Sequence, residues 1–139
     1  MRFIVAVLMV VPAQAHDEGD SFAEILQRIV RASRENFRPV QGARIEMHPG
    51  NISYYQPKVY LPGTTECRIE ERPRWIYSCQ WHGARCEKLR ADTESALGPQ
   101  WSRTGSTFKH KGRFRFTEVT VTPTCAIAVS VLRQYSDSP

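Results

Sequence analysis

Three of the four cysteines, Cys67, Cys79 and Cys86, lie close together in the sequence, and His82 stands between the last two. Thiolate and imidazole groups are the usual ligands of zinc, so the C-x2-H-x3-C spacing, with Cys67 as a fourth ligand, raises a metal site as one interpretation. The spacing matches no standard zinc motif. The other interpretation is a set of disulfides, which form in oxidising compartments.

A predicted β-hairpin favours the disulfides. Side chains on a strand alternate between two faces, and folding the chain about Pro73 sets Cys67 opposite Cys79 and Ile69 opposite Tyr77. Directly opposed residues of an antiparallel pair lie within disulfide range. We therefore expect a Cys67–Cys79 bond.

The two remaining cysteines, Cys86 and Cys125, fall on core-facing positions of a predicted helix and a predicted strand. We expect them to form the second bond. The sequence thus predicts two disulfides, no metal site and no cofactor.

Residues 1–15 have the pattern of a secretory signal peptide. Arg2 is followed by an apolar run that is too short to span a bilayer, then by Pro12 and the small-residue cleavage motif Ala-Gln-Ala at 13–15. We expect residues 16–139 to form one α+β domain with a polar tail at 134–139. Loss of Arg2 leaves 18 basic against 14 acidic residues, a net charge near +4.

Cleavage after residue 15 would make His16 the new N-terminus. An N-terminal histidine can bind copper through its α-amine and imidazole, if a second histidine lies nearby; His48, His82 and His110 are the other histidines in the chain. The acidic residues that follow His16 are more typical of a solvated leader. Copper binding at His16 is therefore an alternative to a leader without a function of its own.

A stretch that interleaves basic and aromatic residues gives the predicted binding surface. If the phenylalanines between 108 and 116 face the core, the basic side chains between them gather near one turn. These side chains are Lys109, Lys111, Arg113 and Arg115. Such a patch suits phosphates or carboxylates of an envelope polymer or an acidic protein. The simpler interpretation is a solubilising strand face with lysines that guard a sheet edge.

Sequence motifs for catalysis are absent. The chain has no glycine-rich phosphate loop, no H-E-x-x-H and no G-x-S-x-G. This lowers the expectation of an enzyme without excluding one, because catalytic groups can be dispersed in sequence.

Two amphipathic helices and a set of short strands must position these residues. A capping box at Ser21 and Glu24 begins the first helix, and Gly98-Pro99 ends the second. Later strands are predicted over 101–108, 113–122 (with a bulge near 117–118) and 125–131, the last in the sheet centre because its alternate residues are small. The order is α-β-β-β-β-α-β-β-β, with both helices on one face of a curved, largely antiparallel sheet and no internal repeat.

These features together predict a small exported, periplasmic or secreted, disulfide-stapled binding or accessory domain that recognises a protein or an anionic envelope component. The alternative is a small exported enzyme or metal-binding protein that uses His16 or the Cys79/His82/Cys86 region. No membrane span is expected. Nucleic acid is not expected as a partner, because base stacking needs exposed aromatic rings and these rings are predicted to face the core. The sequence makes no prediction of the oligomeric state.

Overall fold

The computed structural model describes residues 21–48, 52–83 and 85–135. The predicted signal peptide, His16 and the last four residues of the tail lie outside this part of the chain. Neither helix within it is both long and apolar enough to cross a bilayer.

Two helices lie on an eight-stranded antiparallel sheet. The helices are α1 (Phe22–Ser33) and α2 (Cys86–Leu97), and a short 3-10 helix, Arg38–Val40, follows α1. The strands are β1 (Gln41–His48), β2 (Ile52–Pro57), β3 (Thr64–Arg72), β4 (Arg74–Trp81), β5 (Trp101–Thr104), β6 (Thr107–His110), β7 (Thr117–Val121) and β8 (Ala126–Val131). The predicted fold class, with two helices, an antiparallel sheet and two disulfides, is confirmed.

The strand order, β1-β2-β3-β4-β8-β7-β6-β5, divides the molecule into two halves of like topology. Each half is a helix followed by a four-stranded meander, and the halves meet where β4 pairs with β8, with Ser78 opposite Ala128. β8 therefore lies at the centre of the sheet, as its small residues predicted.

Helix α1 begins with the predicted capping box. The Ser21 hydroxyl accepts a hydrogen bond from the Glu24 backbone N–H, and the Glu24 carboxylate accepts one from the Ser21 N–H, both at 3.1 Å. The inner face of α1 buries Leu26 and Ile29 completely. Its outer face carries Arg28 and Arg31, and Arg34 follows as the C-cap residue; all three are exposed.

The core lies between the helices and the sheet. Its largest fully buried side chains are Tyr77, Phe37, Phe108, Leu26, Ile29, Leu61, Ile69, Leu89 and Ile127. They come from both helices and from both halves of the sheet, so one continuous apolar layer holds the two halves together.

Both predicted disulfides are present. The Cys67 and Cys79 Cα atoms lie 4.0 Å apart across the β3–β4 hairpin, and the Cys86 and Cys125 Cα atoms lie 5.3 Å apart. Ile69 pairs with Tyr77 as expected. The register shifts between Thr65 and Arg68, so two residues of β3 oppose Cys79, and Glu66 takes a positive φ of 53° at this bulge.

The C-terminal strands differ in detail from the prediction. The single strand expected over 101–108 is a tight hairpin, β5 and β6, that turns at Gly105 with φ 63°. Residues 111–116 form a turn and do not belong to the next strand, and β7 pairs with β8 in regular register. The apolar phase slip therefore comes from this turn, and no bulge is present at 117–118.

Candidate functional site

A cleft of about 500 Å³ opens between α1, the 3-10 helix and the turn that follows β6. We call it the arginine cleft. Its lining residues are Arg28, Arg31, Ala32, Arg34, Glu35, Pro39 and Arg113. Of the residues that the structure describes, four arginines and a single glutamate therefore surround one concave surface.

The helix spacing explains why three of these arginines meet. Arg28, Arg31 and Arg34 recur every three residues, which places them along one side of α1. The rise of about 1.5 Å per residue spreads their Cα atoms over about 9 Å along the helix axis. Arg113 approaches the same surface from the sheet.

A chain of buried hydroxyls holds α1 against the sheet beside the cleft. Ser33 Oγ donates to the Val30 carbonyl at 2.6 Å, so in its 2.7 Å contact with Thr117 Oγ1 the threonine is the donor. The Tyr135 hydroxyl in turn donates to Thr117 Oγ1 at 2.7 Å and accepts from the Phe116 N–H at 3.0 Å. The end of α1 and the segment before β7 are thereby fixed relative to each other.

No described neighbour neutralises the guanidinium groups of the cleft. Among the described residues, none of the four arginines forms an ion pair. Arg34 lies over the Tyr135 ring at 4.9 Å, and Arg113 lies over the Phe114 ring at 5.7 Å. These ring contacts orient the two arginines but leave their charge uncompensated.

A second, smaller cavity adjoins the first. We call it the aromatic pocket; it has a volume of about 250 Å³. Its lining residues are Gln27, Val30, Arg31, Leu97, Gln100, Trp101, His110, Arg113 and Phe114. Arg31 and Arg113 line both cavities, so they stand between the arginine cleft and the aromatic pocket.

Three rings form the wall of the aromatic pocket. Trp101 and Phe114 stack with an interplanar angle of 20° and centroids 6.1 Å apart. His110 meets Trp101 edge-on at 5.0 Å. All three are half-buried, so part of each ring faces the cavity.

His110 is also built into the turn that carries Arg113. Its Nδ1 accepts from the Gly112 N–H at 2.9 Å and from the Phe114 N–H at 3.4 Å. A nitrogen that accepts bears no proton, so the neutral ring carries its proton on Nε2, 3.4 Å from the Gln100 side-chain oxygen. This arrangement places Arg113 at the mouth of both cavities.

The four residues of the predicted basic patch do not share one surface. Lys109 lies on the face of the sheet that the helices leave open, where it pairs with Glu118 at 3.6 Å. Arg113 lies on the helix side in the arginine cleft. Lys111 and Arg115 are exposed in the turn between β6 and β7, and Arg115 lies over the Phe116 ring at 4.8 Å. A binding role for the patch stays a prediction.

The residues proposed as metal ligands are occupied in other ways. Cys79 and Cys86 are each in a disulfide, so no thiolate is available beside His82, which is exposed. Within residues 21–48, 52–83 and 85–135, no group of three or more histidine, cysteine or acidic side chains is placed to hold a metal ion. His16 lies outside the described residues.

Sequence reasoning missed the contribution of α1. Its arginines are exposed on the outer side of an amphipathic helix, where charged side chains are common and by themselves indicate no binding site. Their three-residue spacing was the available indication that they form a row. Nothing in the sequence indicated that Arg113, distant along the chain, closes the row into the arginine cleft, or that Trp101 lines the adjoining aromatic pocket.

Comparisons of the chain with protein-family models, with curated proteins and with solved structures found no match. The functional argument therefore depends on the geometry of the two cavities.

Proposed function

We propose that the protein is a small exported binding domain that recognises an anionic group of its partner in the arginine cleft. The observation that carries the proposal is the meeting of four arginines, unpaired within the described chain, around one cavity. Arginine suits this role because its planar guanidinium group offers paired donors that match phosphate and carboxylate oxygens.

The charge around the cleft supports the same conclusion. Like charges that approach one another destabilise a fold unless an anion relieves the repulsion, and Glu35 is the one carboxylate among the described residues of the lining. The volume exceeds what one small ion needs and falls in the range of about 300–1,000 Å³ that is typical of ligand sites. The partner therefore presents its anionic group as part of a larger structure.

Export is part of this proposal. Two disulfides and the predicted leader at residues 1–15 support it, since disulfides persist in oxidising compartments. The anionic component would then be one that the protein meets in the periplasm or outside the cell.

The test compares two variants that remove equal charge. We expect Arg31→Gln with Arg113→Gln to weaken pyrophosphate binding at least about tenfold, because both guanidinium groups line the cavities. Arg44→Gln with Lys58→Gln, at positions that line neither cavity, should change it less than about twofold. Isothermal titration calorimetry at low ionic strength measures both.

A third variant separates the cleft from the basic patch predicted from sequence. Lys109→Gln with Lys111→Gln should lose much less affinity than the double arginine variant, since Lys109 faces the other side of the sheet. Equal losses of pyrophosphate affinity in all three variants would show that binding depends only on net charge. Unchanged affinity in the double arginine variant would refute the arginine cleft as the binding site.

A further inference from the structure

The aromatic pocket adds a second kind of chemistry beside the arginine cleft. A ring that lies in this pocket has its substituents next to Arg31 and Arg113, because these two arginines line both cavities. One ligand can therefore contact aromatic rings with one part and guanidinium groups with another. The proposed function requires the part that contacts the guanidinium groups to be negatively charged.

The pocket wall combines a flat apolar surface with polar groups around it. Trp101 and Phe114 present stacked rings, whose faces carry partial negative charge and attract C–H groups. Gln27 donates its side-chain N–H to the Ala96 carbonyl at 2.9 Å, which leaves its side-chain oxygen as a free acceptor.

Gln100 supplies the complementary group. Its side-chain oxygen faces His110, so its exposed amide nitrogen remains a donor. The pocket thus offers one acceptor, from Gln27, and one donor, from Gln100, at the margin of an aromatic surface. Hydroxyl groups, which both donate and accept, satisfy this pair.

We propose that the ligand is an acidic sugar. Its ring packs on Trp101 in the aromatic pocket, its hydroxyls bond to Gln27 and Gln100, and its phosphate or carboxylate lies between Arg31 and Arg113. A sugar ring fits this wall because it has an apolar C–H face and a polar hydroxyl edge. A purely aromatic ring would leave the two glutamines without partners, which costs affinity.

This inference depends on the proposed function, and the probes separate the two. We would measure the binding of glucose 6-phosphate, glucuronate, glucose, inorganic phosphate and phenyl phosphate to the wild-type protein by calorimetry and by tryptophan fluorescence. We expect glucose 6-phosphate to bind about tenfold tighter than inorganic phosphate, since it adds ring and hydroxyl contacts. The glucuronate arm shows whether a carboxylate replaces the phosphate.

The outcomes point in different directions. Inorganic phosphate that binds as tightly as glucose 6-phosphate overturns the sugar inference and leaves the arginine cleft intact. Phenyl phosphate that binds more tightly than glucose 6-phosphate also overturns it, in favour of an aromatic anion. If neither glucuronate nor any phosphate-bearing probe binds, the proposed function fails and the inference fails with it.

Variants of the pocket wall give the second test. Trp101→Ala should remove the advantage of glucose 6-phosphate over inorganic phosphate, and Trp101→Phe should retain part of it because a flat ring remains. Gln100 is exposed, so Gln100→Ala preserves the fold even if Trp101→Ala unfolds the protein. We expect it to weaken glucose 6-phosphate binding about threefold with phosphate binding unchanged; equal losses for both ligands would overturn the proposal.

Discussion

Tyr77 is the largest of the fully buried side chains, and its hydroxyl group determines how the core responds to pH. The ring packs on Phe37 with centroids 6.2 Å apart, and the hydroxyl donates to the Val59 carbonyl at 2.7 Å. Burial raises the pKa of Tyr77 above its usual value, because the phenolate would lose its hydration. The neutral form is therefore the one that the fold retains.

The raised pKa gives a stability prediction with a defined sign. Above pH of about 10, the unfolded chain releases the Tyr77 proton and the folded chain keeps it, so this contribution to the free energy of unfolding falls by up to about 1.4 kcal/mol per pH unit. Tyr77→Phe should cost about 1 kcal/mol at neutral pH through the lost hydrogen bond. The difference between the two proteins should narrow in alkaline solution.

Urea unfolding of both proteins between neutral and alkaline pH measures this difference. The two proteins share every other ionisable group, so the comparison isolates Tyr77. A difference that stays constant as the pH rises would show that the phenol ionises as readily in the core as in the unfolded chain.

Residue-level prediction succeeded where local rules applied. Alternation along one hairpin was enough to pair Cys67 with Cys79, because opposed positions on neighbouring strands are fixed by the turn. The arginine cleft depends on contacts between α1 and a turn near Arg113, which are distant in sequence. No local rule relates such residues, so the cleft required the structure.

At the scale of elements, α1 and its C-cap residue supply three of the four arginines in the cleft, and α1 depends on its N-terminal cap. Replacement of Ser21 by Ala removes the hydroxyl that accepts from the Glu24 N–H. We expect a loss of about 1 kcal/mol in the free energy of unfolding, seen as a lower urea midpoint at unchanged slope.

The control for this variant is Ser102→Ala, at an exposed position of β5. It should change stability by less than about 0.5 kcal/mol. If Ser21→Ala and Ser102→Ala have the same urea midpoint, the capping box contributes nothing to the stability of α1.

Helix ends were predicted best where the sequence contains residues that start or stop a helix. The capping box and Gly98-Pro99 placed one helix boundary each. The β5–β6 hairpin was missed because Gly105 was counted inside a continuous strand, although its positive φ forms the turn. The alternation of Phe114 and Phe116 with basic residues predicted a strand, but both phenylalanines lie in the turn between β6 and β7.

For the whole molecule, the repeat of a helix and four strands appears in the topology alone. No repeated residues reveal it, since each half only needs apolar residues at matching intervals. The pairing of β4 with β8 joins the halves across a large separation in sequence. Pairings of this kind follow from the packing of the complete chain and cannot be derived from either strand alone.

Each half of the molecule contains one disulfide, and the two together account for much of its expected stability. The bonded cysteines are 12 and 39 residues apart. On the chain-entropy model, loops of these lengths contribute about 3 and about 4 kcal/mol. Domains of this size are stable by only about 5–15 kcal/mol in total. Reduction of both disulfides should therefore unfold most of the protein.

Intact-mass measurement of the exported protein after thiol alkylation, with and without prior reduction, tests this organisation and the predicted export together. We expect no label on the unreduced protein, four labels after reduction, and a chain that starts at His16. Urea unfolding of the reduced protein then measures the stability that the disulfides supply, with the Cys67→Ser/Cys79→Ser and Cys86→Ser/Cys125→Ser variants separating the two bonds.

Label on the unreduced protein would contradict the disulfides in the cell, and a chain that retains Met1 would contradict cleavage of the leader. If reduced protein unfolds at the same urea concentration as oxidised protein, the core alone holds the two halves together.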